Sequence, residues 1–439
     1  MIIKLLLFAI ALLPTDKDVW PGFLGTGSGG FDPDTIPAKW SPSSVTWQKS
    51  LNGYGQSSPV IWGDRVFVTS VEGPSKERLV VSAYSLADGE SLWQSNTKST
   101  FLQKNSVYVS RAAPTPVLDK DGIYASFESG DVVALSFDGK ERWKHSLTQK
   151  YGEPTNRFGH GASPIQDNES LFVLVDDPEG GYLVCMSKAD GQVRWKTDRT
   201  GRQSWSSPAF VVADGEQQIV CSSSGSVDGY ELATGTRLWS VDDVGGNTAT
   251  TPTAMKEGVF LLGASPGRGG ENSKLAKRSN GAMAVSRVGD NWKADFVWRC
   301  KSATTSFASP MTCGRFAFWI NQVGAVYCVD TSTGDVLYTK RVKQSSWATP
   351  LAAADRVYFF GKDGLTSVIA NGPEFKILHE NKLWADDDPP VNNLPKGEEE
   401  TEERRQAAGA FAKPTLYGVA AVNGHLVLRT GSQLFCIRK

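Results

Sequence analysis

Ser58-Pro59, then Arg65-Val66-Phe67-Val68, then Val81-Ser82-Ala83-Tyr84-Ser85-Leu86, Asp88-Gly89 and Ser91-Leu92-Trp93 form a unit that recurs down the chain and decides the fold. The unit reads as short strands separated by turns. Its runs are β-branched and aromatic, and Asp-Gly supplies the positive φ that a tight hairpin requires. Copies begin at Thr115-Pro116, Ser163-Pro164, Ser207-Pro208, Thr251-Pro252, Ser309-Pro310 and Thr349-Pro350, with a weaker eighth at Lys413-Pro414. The turn returns at Asp138-Gly139, Asp190-Gly191, Thr234-Gly235 and, shifted, Gly334-Asp335; the closing aromatic returns at Trp143, Trp195, Trp239, Trp298 and Tyr338.

A small sheet with two apolar faces cannot bury both alone, so copies must stack, and a closed ring leaves none at an end. Successive prolines stand 40 to 64 residues apart, the spacing of propeller blades. The eighth copy stops before any outer Trp strand, while Ser44-Val45-Thr46-Trp47 precedes the first copy and carries that ending. The sequence therefore predicts an all-β fold: one eight-bladed β-propeller of four-stranded blades over residues 44–439, closed by its N-terminal strand. Residues 15–43 are a lead-in. Insertions are expected at 264–281, between the first two strands of blade five, and at 385–412, between blades seven and eight.

Composition narrows the function. The 14 Trp and 44 Gly supply the ring and the turn that each repeat needs. A net charge of −1, with no Lys/Arg stripe, gives no support to nucleic-acid or membrane-surface binding. Residues 1–14, with Lys4 ahead of an apolar run over 5–13, read as a secretory signal peptide too short to span a bilayer. Export to the periplasm or cell envelope is therefore expected, and an integral membrane protein is not. The six Cys show no metal-ligand spacing; Cys185, Cys328 and Cys436 share one repeat position and read as small buried hydrophobes, and any pairing is expected between Cys300 and Cys313. Four scattered His argue against a His-based metal centre.

The pattern from Val133-Ala134-Leu135 to Trp143 and from Leu183-Val184-Cys185 to Trp195, with the opening Trp20-Pro21-Gly22-Phe23-Leu24-Gly25, resembles the pyrroloquinoline-quinone-like (PQQ-like) β-propeller repeat family over nearly the whole chain. That resemblance implies one of two functions. Quinone-dependent dehydrogenases of the family carry PQQ and Ca²⁺ beside an adjacent Cys-Cys pair, which this chain lacks. Other members are similar to the propeller subunit of the outer-membrane β-barrel assembly machine and bind partner proteins without chemistry of their own.

Residues just before each Ser/Thr-Pro should ring one mouth of the central channel. Three positions before the Pro stand Gln56, Ala113, Gly161, Trp205, Ala249, Phe307, Trp347 and Phe411, and neighbouring positions add Tyr54, Arg111, His160, Gln203 and Asn247. Such rings either plug the mouth or offer platforms to a sugar, a quinone or a peptide end. Arg157 with His160 is the most reactive-looking patch, yet no partner arrangement marks it as catalytic. Residues 398–408 have the composition of a short exposed helix. The reading is an exported, non-enzymatic scaffold without cofactor or metal, binding an envelope protein or a glycan; a PQQ-dependent dehydrogenase and a carbohydrate-binding propeller are the alternatives.

Overall fold

The computed structural model describes residues 14–26, 35–104, 106, 108–267, 269–394, 401–402, 406, 409 and 413–439. Among them lie eight antiparallel sheets, seven of four strands and one of five. They are the blades of a propeller. Blade eight takes its three inner strands from Leu416–Val422, His425–Thr430 and Gln433–Arg438 and its outer strand from Val45–Ser50. Val45 pairs with Ile437 and Trp47 with Cys436, so the N-terminal strand closes the ring.

The repeated Ser/Thr-Pro has a geometric cause. The backbone N–H of each Ser or Thr donates to the hydroxyl of the next blade's Ser or Thr: Ser58 to Thr115 at 2.9 Å, Thr115 to Ser163 at 3.0 Å, Ser163 to Ser207 at 2.8 Å, Ser207 to Thr251 at 3.0 Å, Thr251 to Ser309 at 3.0 Å and Ser309 to Thr349 at 3.3 Å. This belt satisfies donors that would otherwise face the channel unpaired. Proline follows because it has no N–H to satisfy there.

The belt corrects the reading of the eighth copy. Ala420 pairs with Val427, Val427 with Cys436 and Cys436 with Trp47, as Val60 pairs through Phe67 and Ala83 to Trp93 in blade one. Gly418-Val419, not Lys413-Pro414, therefore holds the Ser/Thr-Pro position. Glycine is needed there, since a Cβ on Gly418 would stand 2.4 Å from the Ser58 Cα.

The outer Trp joins blade to blade. The indole Nε1 of Trp47, Trp93, Trp143, Trp195 and Trp298 donates to the carbonyls of Leu86, Phe137, Lys188, Leu232 and Thr331 in the following blade, at 2.9 to 3.1 Å. Each ring lies against the turn glycine of that blade; a Cβ on Gly89 or Gly139 would come within 2.7 Å of the ring. Trp239 differs, donating to Gln218 of its own blade at 2.7 Å. Tyr338, its counterpart in blade six, packs edge-on against Phe375. Apolar clusters fill each seam from blades one and two to blades six and seven, and one larger cluster spans blades seven, eight and one.

Two expectations need amendment, and two more fall outside the described residues. The blade-five insertion leaves between the second and third strands, Val259–Leu262 and Gly281–Val288, not between the first two, and contains helix α1 (Ser273–Ser279). It is fastened to the preceding connection by Gly245 N–H to Ser279 Oγ, 2.9 Å, and is held together internally by Asn280, which is fully buried and donates to the Ala264 and Ala276 carbonyls. All six cysteines are free and buried, with Cys300 and Cys313 in different seams. Residues 1–13 and most of 395–412 lie outside the described residues, and with them nearly all of the predicted signal and acidic helix.

Candidate functional site

Two ends of the channel differ. At one end the lead-in enters from below: Val19–Trp20 pairs with the innermost strand of blade one, and Leu118 N–H on the innermost strand of blade two donates to the Pro21 carbonyl. Residues 20–26 then line a cavity of about 450 Å³ together with the Ser/Thr-Pro ring. The Trp-Pro-Gly-Phe-Leu-Gly opening is thus a channel stopper, a role no periodicity in the sequence announces.

The other end is the predicted mouth, where connections from outer to inner strands meet. Four predicted residues come together there. Phe307 packs on Trp347 with ring centroids 5.0 Å apart, Trp347 on Tyr417 at 5.8 Å, and Tyr417 on Tyr54 at 6.4 Å; the Arg111 guanidinium lies 5.5 Å from the Tyr54 centroid. The row crosses blades six, seven, eight and one. Phe307 is 45% exposed at one end, Trp347 and Tyr417 are half-buried, and Tyr54 is buried. Burial, helped by the neighbouring Tyr417, pushes the Tyr54 phenol far above its usual range. Tyr417 was missed because it is the extra residue at a break in register between Leu416 and Gly418, off the repeat position; Phe411, expected at the mouth, lies outside the described residues.

Arg111 and Gln56 serve the mouth's framework. Their backbones and the Gln56 side chain interlock, with Arg111 N–H donating to Gln56 Oε1 at 2.9 Å and Gln56 N–H to the Arg111 carbonyl at 3.0 Å. Below them Arg429, fully buried, crosses from blade eight to donate to the Ser57 and Thr69 carbonyls of blade one. Burial away from any carboxylate pulls its pKa down to about 9.

A second group forms on the opposite side. Trp205 donates to the Gly159 carbonyl at 3.0 Å and packs on Phe158 at 6.1 Å, and Arg157 covers Phe158 at 4.7 Å. Gln203 donates to Asn156 Oδ1 at 3.0 Å. Asn247 does not reach the mouth: fully buried, it donates to Ser222 Oγ and to the Ser223 and Ser226 carbonyls. His160 also turns away, into a separate cleft between blades two and three.

The model of a family described as outer membrane protein assembly factor BamB matches residues 38–158, 138–291 and 289–430. Similar curated proteins include the polyvinylalcohol dehydrogenase of a Pseudomonas species, 28% identical over 199 residues, covering 42% of this chain and 30% of that one. Another is the outer membrane protein assembly factor BamB of Shewanella oneidensis, 25% identical over 240 residues, covering 52% of this chain and 56% of that one. The chain spans less than two thirds of the length of these curated relatives. Among solved structures, BamB from Moraxella catarrhalis superposes with a TM-score of 0.56 at 13% identity, over 89% of this chain and 96% of that one. Quinohemoprotein alcohol dehydrogenase from Comamonas testosteroni gives 0.59 at 11% identity, over 96% and 80%. At these identities the structural likeness is one of fold alone.

Proposed function

The chain belongs to the family described as outer membrane protein assembly factor BamB, and on that premise we propose that it is an exported, non-enzymatic scaffold that binds a protein partner in the bacterial cell envelope. One observation carries the reading: the aromatic row of Phe307, Trp347 and Tyr417 emerges at the mouth instead of being capped by other blades. Exposed Leu102, Leu275, Val323 and Val391 lie on connections at the same end of the propeller. Aromatic anchors among apolar neighbours are what protein interfaces use, and such patches on a surface mark contact sites. Residues 1–14 and the envelope role in the relatives' names support export. No helix among the described residues is long and apolar enough to cross a membrane.

A photocrosslinking phenylalanine analogue at position 307, with position 92 on an outer strand as control, tests this in envelope extracts. The expected result is one protein species crosslinked from 307, lost in Trp347→Ala and absent from 92. Equal yields at both positions, or none, contradict it.

The likeness to polyvinylalcohol dehydrogenase favours a quinone-dependent enzyme as the second reading. The mouth residues do not fit a flat quinone with Ca²⁺. Trp347 is tilted 50° from Phe307 and 51° from Tyr417, so these rings form no parallel-walled slot, and no group of carboxylates that could hold a metal ion occurs among the described residues. No redox step follows from this geometry. Titration with PQQ and Ca²⁺, following Trp fluorescence and dye reduction by alcohols, tests it; saturable quenching with dye reduction would displace the scaffold reading.

A further inference from the structure

The cleft into which His160 turns lies between blades two and three and encloses about 400 Å³, within the ~300–1,000 Å³ of ordinary ligand pockets. Its inner wall is apolar, with Leu147, Ala162 and Val173 buried, and Tyr151 and Tyr182 stand half-buried at its opening, 5.2 Å apart and edge to face. Nothing obstructs the entrance at Gly152 or Gly180, where a Cβ would meet no atom within 4 Å.

One polar atom at the back is without a partner, and a carboxylate stands beside it. His160 is 9% exposed, and its Nε2 is buried with no hydrogen-bond partner. Burial lowers its pKa against the opposing pull of Asp177 and Asp176, so the ring is neutral. A cation entering the cleft would select the tautomer with the proton on Nδ1, which leaves Nε2 an acceptor. Asp177 Oδ2 stands 4.0 Å away. Burial pushes the Asp177 carboxyl up, but the Thr155 hydroxyl and the Thr155, Asn156 and Glu179 N–H groups outweigh it and hold the pKa below its usual value. Nε2 can then accept beside a carboxylate whose Oδ2 already takes the Thr155 and Asn156 N–H groups but whose negative charge is met by no Lys or Arg among the described residues. An unmet buried acceptor is costly, and a charged donor meets the pair best.

The charges lining the cleft are mostly acidic: Glu153, Asp177, Glu179 and Asp198 against Lys196 and Arg199. Glu153 and Glu179 line the cleft, and neither makes an ion pair with a described residue. Lys196 is already paired with Asp198, and Arg199 is turned inward to Asp176 at 2.9 Å and Asp228 at 3.3 Å. The tyrosine walls also accept cations. Lys196 Nζ sits 5.2 Å from the Tyr151 centroid and 5.3 Å from that of Tyr182, in the range of cation–π attraction.

We propose that this cleft holds a cationic side chain, lysine or arginine, presented by a bound protein. The methylene stem lies along the apolar wall, the head between His160 Nε2 and Asp177 Oδ2. This deepens the scaffold reading, and rests on it only for the source of the cation.

Calorimetric titration of the full chain with N-acetyl-arginine amide and N-acetyl-lysine amide tests the chemistry without any partner. N-acetyl-citrulline amide is the uncharged control and putrescine the free amine. Saturable binding of a blocked cation is expected, with none of the citrulline derivative. The exposed double variant Glu153→Gln/Glu179→Gln should weaken it about tenfold, or ~1.4 kcal/mol, and His160→Phe should abolish it. Asp177→Asn is a poor test, because that carboxylate holds the local loop together. Equal binding of arginine and citrulline derivatives, no saturable binding, or indifference to both variants would overturn the proposal; tighter binding of putrescine would overturn the assignment to a protein side chain. Crosslinking at position 307 is independent of all these outcomes, so failure here leaves the scaffold reading standing on its own test.

Discussion

Replacing Trp47 by Ala tests the closure of the ring, and Trp143→Ala supplies a matched control. Both indoles are 8% exposed, and both donate at 2.9 Å to a carbonyl of the next blade, Leu86 for Trp47 and Lys188 for Trp143. Burying ~150–250 Å² of aromatic surface at ~25 cal/mol/Å² is worth about 4–6 kcal/mol. The lost hydrogen bond adds about 1 kcal/mol, and partial collapse around the void returns some of the total. Each substitution should therefore cost about 4 kcal/mol, within the ~3–5 kcal/mol usual for Trp→Ala. The two differ in where the loss falls. Trp143 sits on a strand whose blade is continuous in sequence, whereas Trp47 lies on the one strand of blade eight that comes from the other end of the chain. Native-state hydrogen exchange reads such local openings. In Trp47→Ala the amides of Val45–Ser50 and Gln433–Arg438 should lose protection together while blades two and three keep theirs; Trp143→Ala should show the reverse. A Trp47→Ala cost below about 1 kcal/mol, or unchanged exchange over Gln433–Arg438, would refute the clasp.

Other substitutions probe the repeat and the buried charges. Gly139→Ala forces a side chain onto a φ of +82° and to within 2.7 Å of the Trp93 ring, and should cost at least ~1–3 kcal/mol, read from the shift in urea midpoint. Lys76 and Glu128, each 3% exposed and 3.3 Å apart, form a buried pair; Lys76→Met strands the carboxylate at a cost of about 3–5 kcal/mol, and adding Glu128→Gln should recover part of it. His160, whose folded pKa lies below its ordinary 6.5, gives the unfolded chain the greater proton uptake between those two values. Its effect is thus absent above about pH 6.5 and destabilising as pH falls toward the folded pKa. Wild-type stability should decline more steeply than that of His160→Gln in acid denaturation profiles; parallel profiles would argue that the imidazole is not buried neutral.

The blade repeat was legible because two of its marks have jobs that repeat with it. Ser and Thr hydroxyls pass a hydrogen bond from blade to blade, and Trp indoles need both a carbonyl and a glycine in the next turn, so neither mark can drift. Where the job changes, the mark disappears. Gly418 gives up the hydroxyl because Ser58 approaches too closely for a side chain, and without that mark the eighth copy reads from Lys413-Pro414. Trp239 looks like its counterparts in sequence but bonds within its own blade. The stopper over residues 20–26 has no period, and the helix within the blade-five insertion is too short to show one. His160 was singled out as part of the mouth; its neighbours Tyr151, on a short helix before it, and Asp177 and Tyr182, on the hairpin after it, show nothing in their spacing that says they share a cleft.

The central claim is that the aromatic mouth is the face that meets a protein. It is tested most directly by comparing amide hydrogen exchange in the isolated chain with that in its complex with the protein crosslinked from position 307. Protection confined to the connections around Phe307, Trp347 and Tyr417 is the predicted result. Protection instead at the hairpins of the opposite end, around Gly63, Gly258 and Gly424, with the mouth unchanged, would contradict it.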